Sequence, residues 1–156
     1  MRKKIKDHLD KSFQDGLAKK KPSTYLKNFN LTENYSKLAN CTLVIECTIE
    51  NLEIKKNVYR KIEEVIAAGS LLTSNTSSIP ISILQQQTQH PERFFGLHWA
   101  EPSHTTRFLE IICGAQSDIK QGEYLYRLCH TWGKEPTLVR KDIRGFITNR
   151  VDVCFI

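Results

Sequence analysis

The sequence predicts an α/β fold in which helices cover a wound parallel sheet. Short apolar runs, typical of buried strands, alternate along the chain with stretches whose apolar residues repeat at helical spacing. The clearest case is the run CTLVIEC, followed at once by the amphipathic stretch ENLEIKKNVYRKIEEVIAAG. Repeated strand and helix alternation is typical of parallel sheets, because parallel neighbours need a crossover connection.

The first forty residues predict one helix and a mainly irregular connection. Apolar side chains recur at helical spacing within residues 5–20, with charges between them, and lysines precede Pro22. Residues 23–40 mix polar and isolated apolar residues, so we expect a loop with a short strand near Phe29 and a helical turn near Tyr35.

The remaining elements follow in order. Apolar runs predict strands over residues 42–47, 71–73, 94–99, 107–112 and 136–139. Helical periodicity predicts helices over residues 50–69, 81–89 and 119–132, with Gly69 and Gly133 as stop signals for the first and the last. The run GFITNRV is expected to begin a further helix.

Composition limits the class of protein. The 156 residues and 40% hydrophobic content suffice for one domain with a packed core. No apolar run is long enough to cross a bilayer and no signal peptide follows the basic start, so we expect a soluble, cytoplasmic protein without a membrane partner. The five cysteines form no CxxC pair, which favours a reducing compartment and argues against a metal site.

The net charge of +6 arises largely in the first 27 residues, which hold nine Lys or Arg against three Asp. Such a segment favours anionic partners, although a solvated helix face explains it equally simply. We expect no nucleic-acid partner, since basic and aromatic residues do not interleave and no helix-turn-helix pattern occurs.

Polar residues collect after the predicted strands, where ligand sites of wound sheets form. They are Cys47, Thr48, Glu50, Lys55, Asn75, Thr76, Ser77, Ser78, His98 and Glu101. In the central stretch FFGLHWAEPSHTTRFLE, one apolar run leads to His98 and the next carries Glu110. Brought together, the two make a general base and the carboxylate that orients it, although lone His and Glu residues are more often structural.

Five ordered blocks carry a resemblance to a known family: LVIECTIENLEIKKNVYRKIE, SNTSSIPI, PERFFGLHWAEP, FLEII and GKEPTLVRKDIRGFITNR. In order and spacing they resemble the NAD-dependent L-3-hydroxyacyl-CoA dehydrogenases, over about residues 40–151. The resemblance implies a Rossmann-type sheet, NAD as cofactor, an acyl-CoA as substrate, and reversible oxidation of an L-3-hydroxyacyl-CoA to the 3-oxoacyl-CoA, as in fatty acid β-oxidation or butanoate-type metabolism.

The resemblance also implies roles for single residues. His98 matches the catalytic histidine and Glu110, twelve residues later, its carboxylate partner. Ser77 matches the serine that hydrogen-bonds the reacting oxygen, and Asn149 the asparagine that also faces the substrate. Lys20 falls in the lysine cluster that meets the coenzyme A phosphates, or else is only solvated.

Further residues match the cofactor site of the family. Glu50 and Lys55 correspond to positions that contact the nicotinamide half of NAD, with backbone from Cys47 and Thr48 beside it. Asn75, in the NTSS block, is assigned to the same site, although residues 75–78 also suit a helix cap.

Three residues depart from the family pattern. Glu101 replaces the asparagine of the HFFNP block, Trp99 replaces a phenylalanine, and Arg144 stands where a proline is usual. A carboxylate at position 101 that points into the site would raise the pKa of the catalytic histidine and change the substrate preference.

The ends of the family pattern are missing. None of the seven glycines forms the GxGxxG cluster that holds a pyrophosphate, so the first βαβ unit is expected to be absent. We therefore predict a basic helix and connection (1–40), the C-terminal part of a Rossmann-like NAD-binding domain (41–145) and the start of a missing helical domain (146–156). Three alternatives stay open: an inactive fragment that only binds, a homodimer or pairing with a complementing chain, and a dehydrogenase of another small 3-hydroxy acid.

Overall fold

The computed structural model describes residues 2–142 and 146–147, and the chain divides into two compact units, residues 1–34 and 35–156. The first unit contains helices α1 (Arg2–Gln14) and α2 (Pro22–Leu26). The predicted first helix ends early, because Gly16 adopts a left-handed φ of 73° and the chain turns back onto the Ser12 carbonyl. No strand forms near Phe29 among the described residues of this unit.

The second unit contains a five-stranded sheet and three α-helices, in the order that the sequence predicts. The strands are β1 (Leu43–Glu46), β2 (Leu71–Ser74), β3 (Phe94–Trp99), β4 (Phe108–Cys113) and β5 (Glu135–Val139). The helices are α3 (Leu52–Glu63), α4 (Ile81–Gln85) and α5 (Ile119–Thr131), and short 3-10 turns cover Tyr35–Leu38 and Pro91–Arg93.

The sheet order is β1-β2-β3-β4-β5, and its strands do not all run the same way. The first three strands are parallel, β4 is antiparallel to β3, and β5 is parallel to β4. The expectation of a wholly parallel sheet is therefore wrong for the last two strands. Residues 100–107 join β3 to β4 without a helix, and so short a connection permits only an antiparallel neighbour.

Side chains alternate between the two faces of the sheet and pack into two cores. On one face Leu72 and Phe94 pack with residues of α3 and α4, and on the other Leu71 and Phe95 pack with residues of α5. Gly96 in β3 is a point of close approach, because a Cβ there would lie 2.9 Å from side-chain atoms of α4 and β4. The sheet is thus buried on both faces, which explains its continuous apolar runs.

Helix α3 ends at Glu63, before the predicted stop at Gly69, and a buried arginine holds the segment that follows it. The Arg93 guanidinium donates to the carbonyls of Ala67 and Ala68, both at 2.7 Å, and of Ser70 at 3.3 Å. Arg93 lies in the 3-10 turn before β3. A side chain distant in sequence thus fixes the connection between α3 and β2.

Replacement of Arg93 by methionine is expected to lower the free energy of unfolding by about 3 kcal/mol, since the buried guanidinium bonds three backbone carbonyls, of which that of Ser70 is buried. Urea unfolding of the parent and the variant measures the difference. Arg107→Met is the matched control: Arg107 forms an exposed ion pair with Glu135, so its loss should change the stability by only about 0.5 kcal/mol or less. Equal losses in the two variants would contradict this role of Arg93.

Candidate functional site

The antiparallel pairing of β3 and β4 brings two predicted site residues face to face. In the register of these strands His98 lies directly opposite Glu110. The His98 Nδ1 atom is 2.8 Å from Glu110 Oε2, and both residues are buried, Glu110 completely. Because a carboxylate accepts the proton on Nδ1, the neutral imidazole presents an unprotonated Nε2.

Ser77 lies on the other side of the imidazole. It follows β2, and its Oγ atom is 3.1 Å from His98 Nε2. With Nε2 as the acceptor, the hydroxyl of Ser77 donates to it. Ser77, His98 and Glu110 therefore form a continuous hydrogen-bonded row from the sheet edge into the core.

A turn far along the chain closes over this row. The Ile147 amide donates to Glu110 Oε1 at 2.7 Å, and the buried Phe146 ring lies 5.6 Å from the His98 ring. Phe146 has a φ of 45°, a left-handed conformation that is unusual for an aromatic residue and occurs at functional sites. Sequence reasoning identified neither Phe146 nor Ile147. Ile147 acts through its backbone amide, which no residue type reveals. Asn149 lies outside the described residues.

The loop after β1 reaches the same row. Glu50 accepts hydrogen bonds from the Thr76 hydroxyl at 2.8 Å and from the Ser77 amide at 2.6 Å. The ammonium of Lys55, in α3, lies 3.7 Å from Glu50 Oε2. The structure thus brings Glu50 beside Ser77 and Lys55 beside Glu50, although the Lys55 side chain is only 1% exposed and is bonded mainly to Glu46. Contact of Glu50 and Lys55 with a cofactor stays a prediction.

Asn75 fixes the position of β3 at the site. Its Oδ1 atom accepts a hydrogen bond from the Trp99 amide at 3.0 Å, next to His98 in the chain. Asn75 therefore aligns the ends of β2 and β3 where the histidine emerges. A contact of its amide group with a cofactor stays a prediction.

Cys47 and Thr48 continue from β1 into the loop. Thr48 donates from both its amide and its hydroxyl to the buried Glu46 carboxylate, so the loop is held against the sheet. Cys47 is exposed, whereas Cys113 and Cys129 are buried. Burial raises the pKa of the Cys129 thiol to about 12.

These thiols are expected to differ in reactivity. Burial and the Glu46 charge raise the pKa of the Cys47 thiol as well, so access to the sulfur decides the order. At neutral pH the exposed Cys47 should be modified well before the buried Cys113 and Cys129. Mass spectrometry of peptides after timed exposure to iodoacetamide measures the order. Modification in urea, where all thiols are accessible, is the control; early labelling of Cys129 in the folded chain would contradict the structure.

Residues 100–107 connect β3, which carries His98, to β4, which carries Glu110, and they include Glu101. Glu101 is exposed, and its carboxylate accepts from the Ser103 amide at 3.3 Å. The Lys134 ammonium donates to the carbonyls of Ser103 and Thr106, and the Trp99 and Trp132 rings stack with their centres 5.9 Å apart. The connection is therefore anchored to the end of α5.

Lys20 lies in the first unit, after α1, and is exposed. Its amide donates to the Tyr25 hydroxyl at 3.3 Å. Contact of Lys20 with a coenzyme A phosphate stays a prediction.

The residues fit one end of a dinucleotide. Polar groups of Thr48, Glu50 and Ser77 meet at the carboxyl edge of the sheet, where an amide ring would find donors and acceptors. Of the described glycines, Gly96 and Gly114 are closed by packed side chains, which a Cβ on either would meet, so neither offers a phosphate cradle. The described residues are thus compatible with the nicotinamide half of the cofactor.

Within residues 2–142 and 146–147, no helix has the length and apolar character to cross a membrane. In the same residues no three His, Cys, Asp or Glu side chains are grouped as ligands for a metal ion.

Comparison with known proteins gives consistent results. The family model described as 3-hydroxyacyl-CoA dehydrogenase, NAD binding domain, matches residues 1–143. The chain is 35% identical over 138 residues to a 5-formyl-3-hydroxy-2-methylpyridine 4-carboxylate 5-dehydrogenase of Mesorhizobium japonicum, covering 88% of this chain and 45% of that protein. It is 31% identical over 147 residues to a probable 3-hydroxybutyryl-CoA dehydrogenase of Deinococcus radiodurans, covering 94% and 52%.

A solved structure agrees. The crystal structure of 3-hydroxybutyryl-CoA dehydrogenase from Escherichia coli is 33% identical and superposes with a TM-score of 0.89 over 96% of this chain and 32% of that one. The chain thus spans about half the length of the two curated relatives. These matches confirm the Rossmann-type α/β fold and the resemblance inferred from the five sequence blocks, with NAD as the cofactor of the family domain. The chain belongs to the 3-hydroxyacyl-CoA dehydrogenase family, through its NAD-binding domain.

Proposed function

We propose that this chain carries the proton-transfer part of an NAD-dependent 3-hydroxyacyl-CoA dehydrogenase site. The observation that carries the proposal is the row from Ser77 through His98 to Glu110, with hydrogen bonds of 3.1 and 2.8 Å. His98 acts as general base, Glu110 orients it, and Ser77 binds the reacting oxygen. Asn149 is proposed to face the substrate beside them.

Each residue of the row is proposed to take one part in the reaction. The 3-hydroxyl group of the substrate takes the place of, or joins, the Ser77 hydroxyl at His98 Nε2, where its proton is accepted. Glu110 holds Nδ1 and stabilises the imidazolium that forms, and the Ile147 amide keeps that carboxylate in place. NAD, when bound, supplies the acceptor for the hydride from C3.

The other binding residues are proposed to arrange the two reactants. Glu50 and the loop of Cys47 and Thr48 lie beside Ser77 and are proposed to hold the nicotinamide, with Lys55 and Asn75 behind them. Lys20 is proposed to meet coenzyme A phosphate.

The test combines coenzyme binding with turnover. The chain is incubated with saturating NADH and acetoacetyl-CoA, and the fall in NADH absorbance is followed while NMR resonances of Thr48, Ser77 and His98 are titrated with NADH. We expect NADH to shift these resonances and 3-oxoacyl reduction to follow. The absence of both the resonance shifts and the turnover at saturating NADH would contradict the proposal. The heat-denatured chain serves as the control for uncatalysed loss of NADH.

A second candidate is a dehydrogenase of another small 3-hydroxy acid. A relative at 35% identity bears the name of a pyridine carboxylate dehydrogenase, and Glu101 adds an exposed carboxylate close in sequence to His98. Turnover of a free 3-oxo acid at a higher kcat/KM than acetoacetyl-CoA would favour this candidate. Glu101→Asn, which restores the family residue, is expected to shift the preference toward the thioester; the exposed Glu92→Gln serves as a control away from that connection.

A further proposal concerns partners. Among the described residues β1 pairs with β2 alone, and Ile45 of β1 is 36% exposed. An open strand edge of this kind pairs readily with another strand. We propose that a second chain, identical or complementing, covers the open edge of β1. Sedimentation velocity of the parent and of an Ile45→Lys variant tests this pairing. A monomer in both samples would contradict it.

A further inference from the structure

Glu46, the last residue of β1, is the most heavily hydrogen-bonded carboxylate in the described part of the chain, and the sequence assigned it no role. The residue is 3% exposed. Its two oxygens accept from several donors: Thr48 through its amide and, at 2.6 Å, its hydroxyl; Lys55 at 3.0 Å to each oxygen; Tyr59 at 2.9 Å; and Ser74 at 2.7 Å. These donors come from the loop after β1, from α3 and from β2.

The donors keep the carboxyl ionised. Burial raises the pKa of Glu46, but hydrogen bonds from Thr48, Ser74 and Lys55 outweigh burial, so that the pKa lies below its ordinary value. A buried carboxylate is stable only when its charge and lone pairs are matched in this way.

The network continues from Glu46 toward the catalytic row. The Lys55 ammonium, 3.0 Å from Glu46, is also 3.7 Å from Glu50 Oε2. The other oxygen of Glu50 accepts from the Ser77 amide at 2.6 Å, and the Ser77 hydroxyl reaches His98. One ammonium therefore lies between a fixed, buried carboxylate and a second carboxylate that holds Ser77.

The two carboxylates differ in freedom. The side chain of Glu50 is 38% exposed, so its orientation is not set by packing alone, whereas that of Glu46 is fully enclosed. A charge at Glu46 fixes Lys55, and the fixed ammonium draws one oxygen of Glu50 while the other stays on Ser77. Without that charge, water competes for Glu50.

We propose that Glu46 is a positioning residue of the site: through Lys55 and Glu50 it sets where the amide and hydroxyl of Ser77 lie relative to His98. This inference rests on the proposed function only for its significance in catalysis. The structural alternative is that Glu46 merely joins β1, β2 and α3, in which case its loss would destabilise the fold evenly and leave Ser77 in place.

The test measures amide hydrogen exchange on isotopically labelled chain, without NAD or acyl-CoA. In Glu46→Gln, exchange of the Ser77 amide is expected to become about tenfold faster relative to the Leu72 amide, which lies in β2 and reports opening of the whole sheet. The Ser77 amide proton should also move upfield as its bond to Glu50 weakens. Division by the Leu72 rate removes any even loss of stability.

Glu63→Gln is the matched control, since the Glu63 carboxylate accepts from the backbone amides of Gln89 and His90, away from the row. Glu63→Gln should accelerate exchange of the Gln89 and His90 amides and leave the exchange rate of the Ser77 amide unchanged. Equal effects on Ser77 from both variants would show a general loss of stability and overturn the proposal.

A second variant covers the case in which Glu46→Gln does not fold. Glu46→Gln combined with Lys55→Met removes both buried charges, a change that proteins tolerate far better than the loss of one. Ser77 should still exchange faster than in the parent, since nothing then draws Glu50. If the ratio of the Ser77 to the Leu72 exchange rate stays within about twofold of the parental ratio, in whichever variant folds, Glu46 does not position Ser77. Because no reactant is present, this outcome is independent of whether the chain turns over 3-oxoacyl-CoA.

Discussion

Replacement of His98 by glutamine is expected to lower turnover of acetoacetyl-CoA by roughly 10²- to 10⁴-fold, the contribution of a positioned general base. Glutamine fills most of the space of the imidazole and keeps a polar contact with Glu110, which is 2.8 Å from Nδ1 in the parent. It cannot accept and return a proton at the position of Nε2. The loss should therefore fall on kcat, with a smaller change in KM.

A second histidine supplies the control for this experiment. His90 lies 3.4 Å from Glu92, and both side chains are about half exposed, whereas His98 is buried. His90→Gln should retain parental turnover. Equal kcat values for His98→Gln and the parent would remove His98 from the mechanism, whereas equal losses in both histidine variants would point to a general effect on folding.

Replacement of Lys55 by methionine is expected to cause the largest loss of stability, about 3–5 kcal/mol in the free energy of unfolding. The Lys55 side chain is 1% exposed and its ammonium is 3.0 Å from both oxygens of the buried Glu46. Without it a buried carboxylate loses its counter-charge. Urea unfolding measures the loss, and Lys56→Met, an exposed neighbour on α3, should change stability by about 0.5 kcal/mol or less.

The loss in Lys55→Met should shrink in acid. The pKa of Glu46 is held below its ordinary value, in part by Lys55, so in the parent its contribution is fully present above the ordinary pKa of 4.5 and is lost as the pH falls through the lower folded value. In the variant the folded pKa is higher, so protonation relieves the unpaired charge first. Unfolding at a series of pH values checks this; a difference that grows in acid contradicts it.

Local pattern was sufficient to place most elements of the second unit. β3 occupies residues 94–99 as predicted, and α5 differs by one residue at its end, because these segments carry unbroken apolar or helical spacing. The end of α3 and the direction of β4 were not predictable in this way. The segment after α3 is held by Arg93, which is distant in sequence, and the direction of β4 depends on the short connection between β3 and β4.

The sequence by itself indicated the α/β class of the second unit and pointed to His98 and Glu110 as the proposed catalytic pair. Their side-chain chemistry at strand ends made them candidates, and the resemblance of their blocks to the family implied their roles and that of Ser77. Tertiary structure decided what surrounds them. The Ile147 amide on Glu110 is a backbone group that no residue type encodes, and Glu46 resembles any residue at a strand end until three segments converge on its carboxylate. Burial and convergence are properties of the folded chain, because they depend on contacts between residues far apart in sequence.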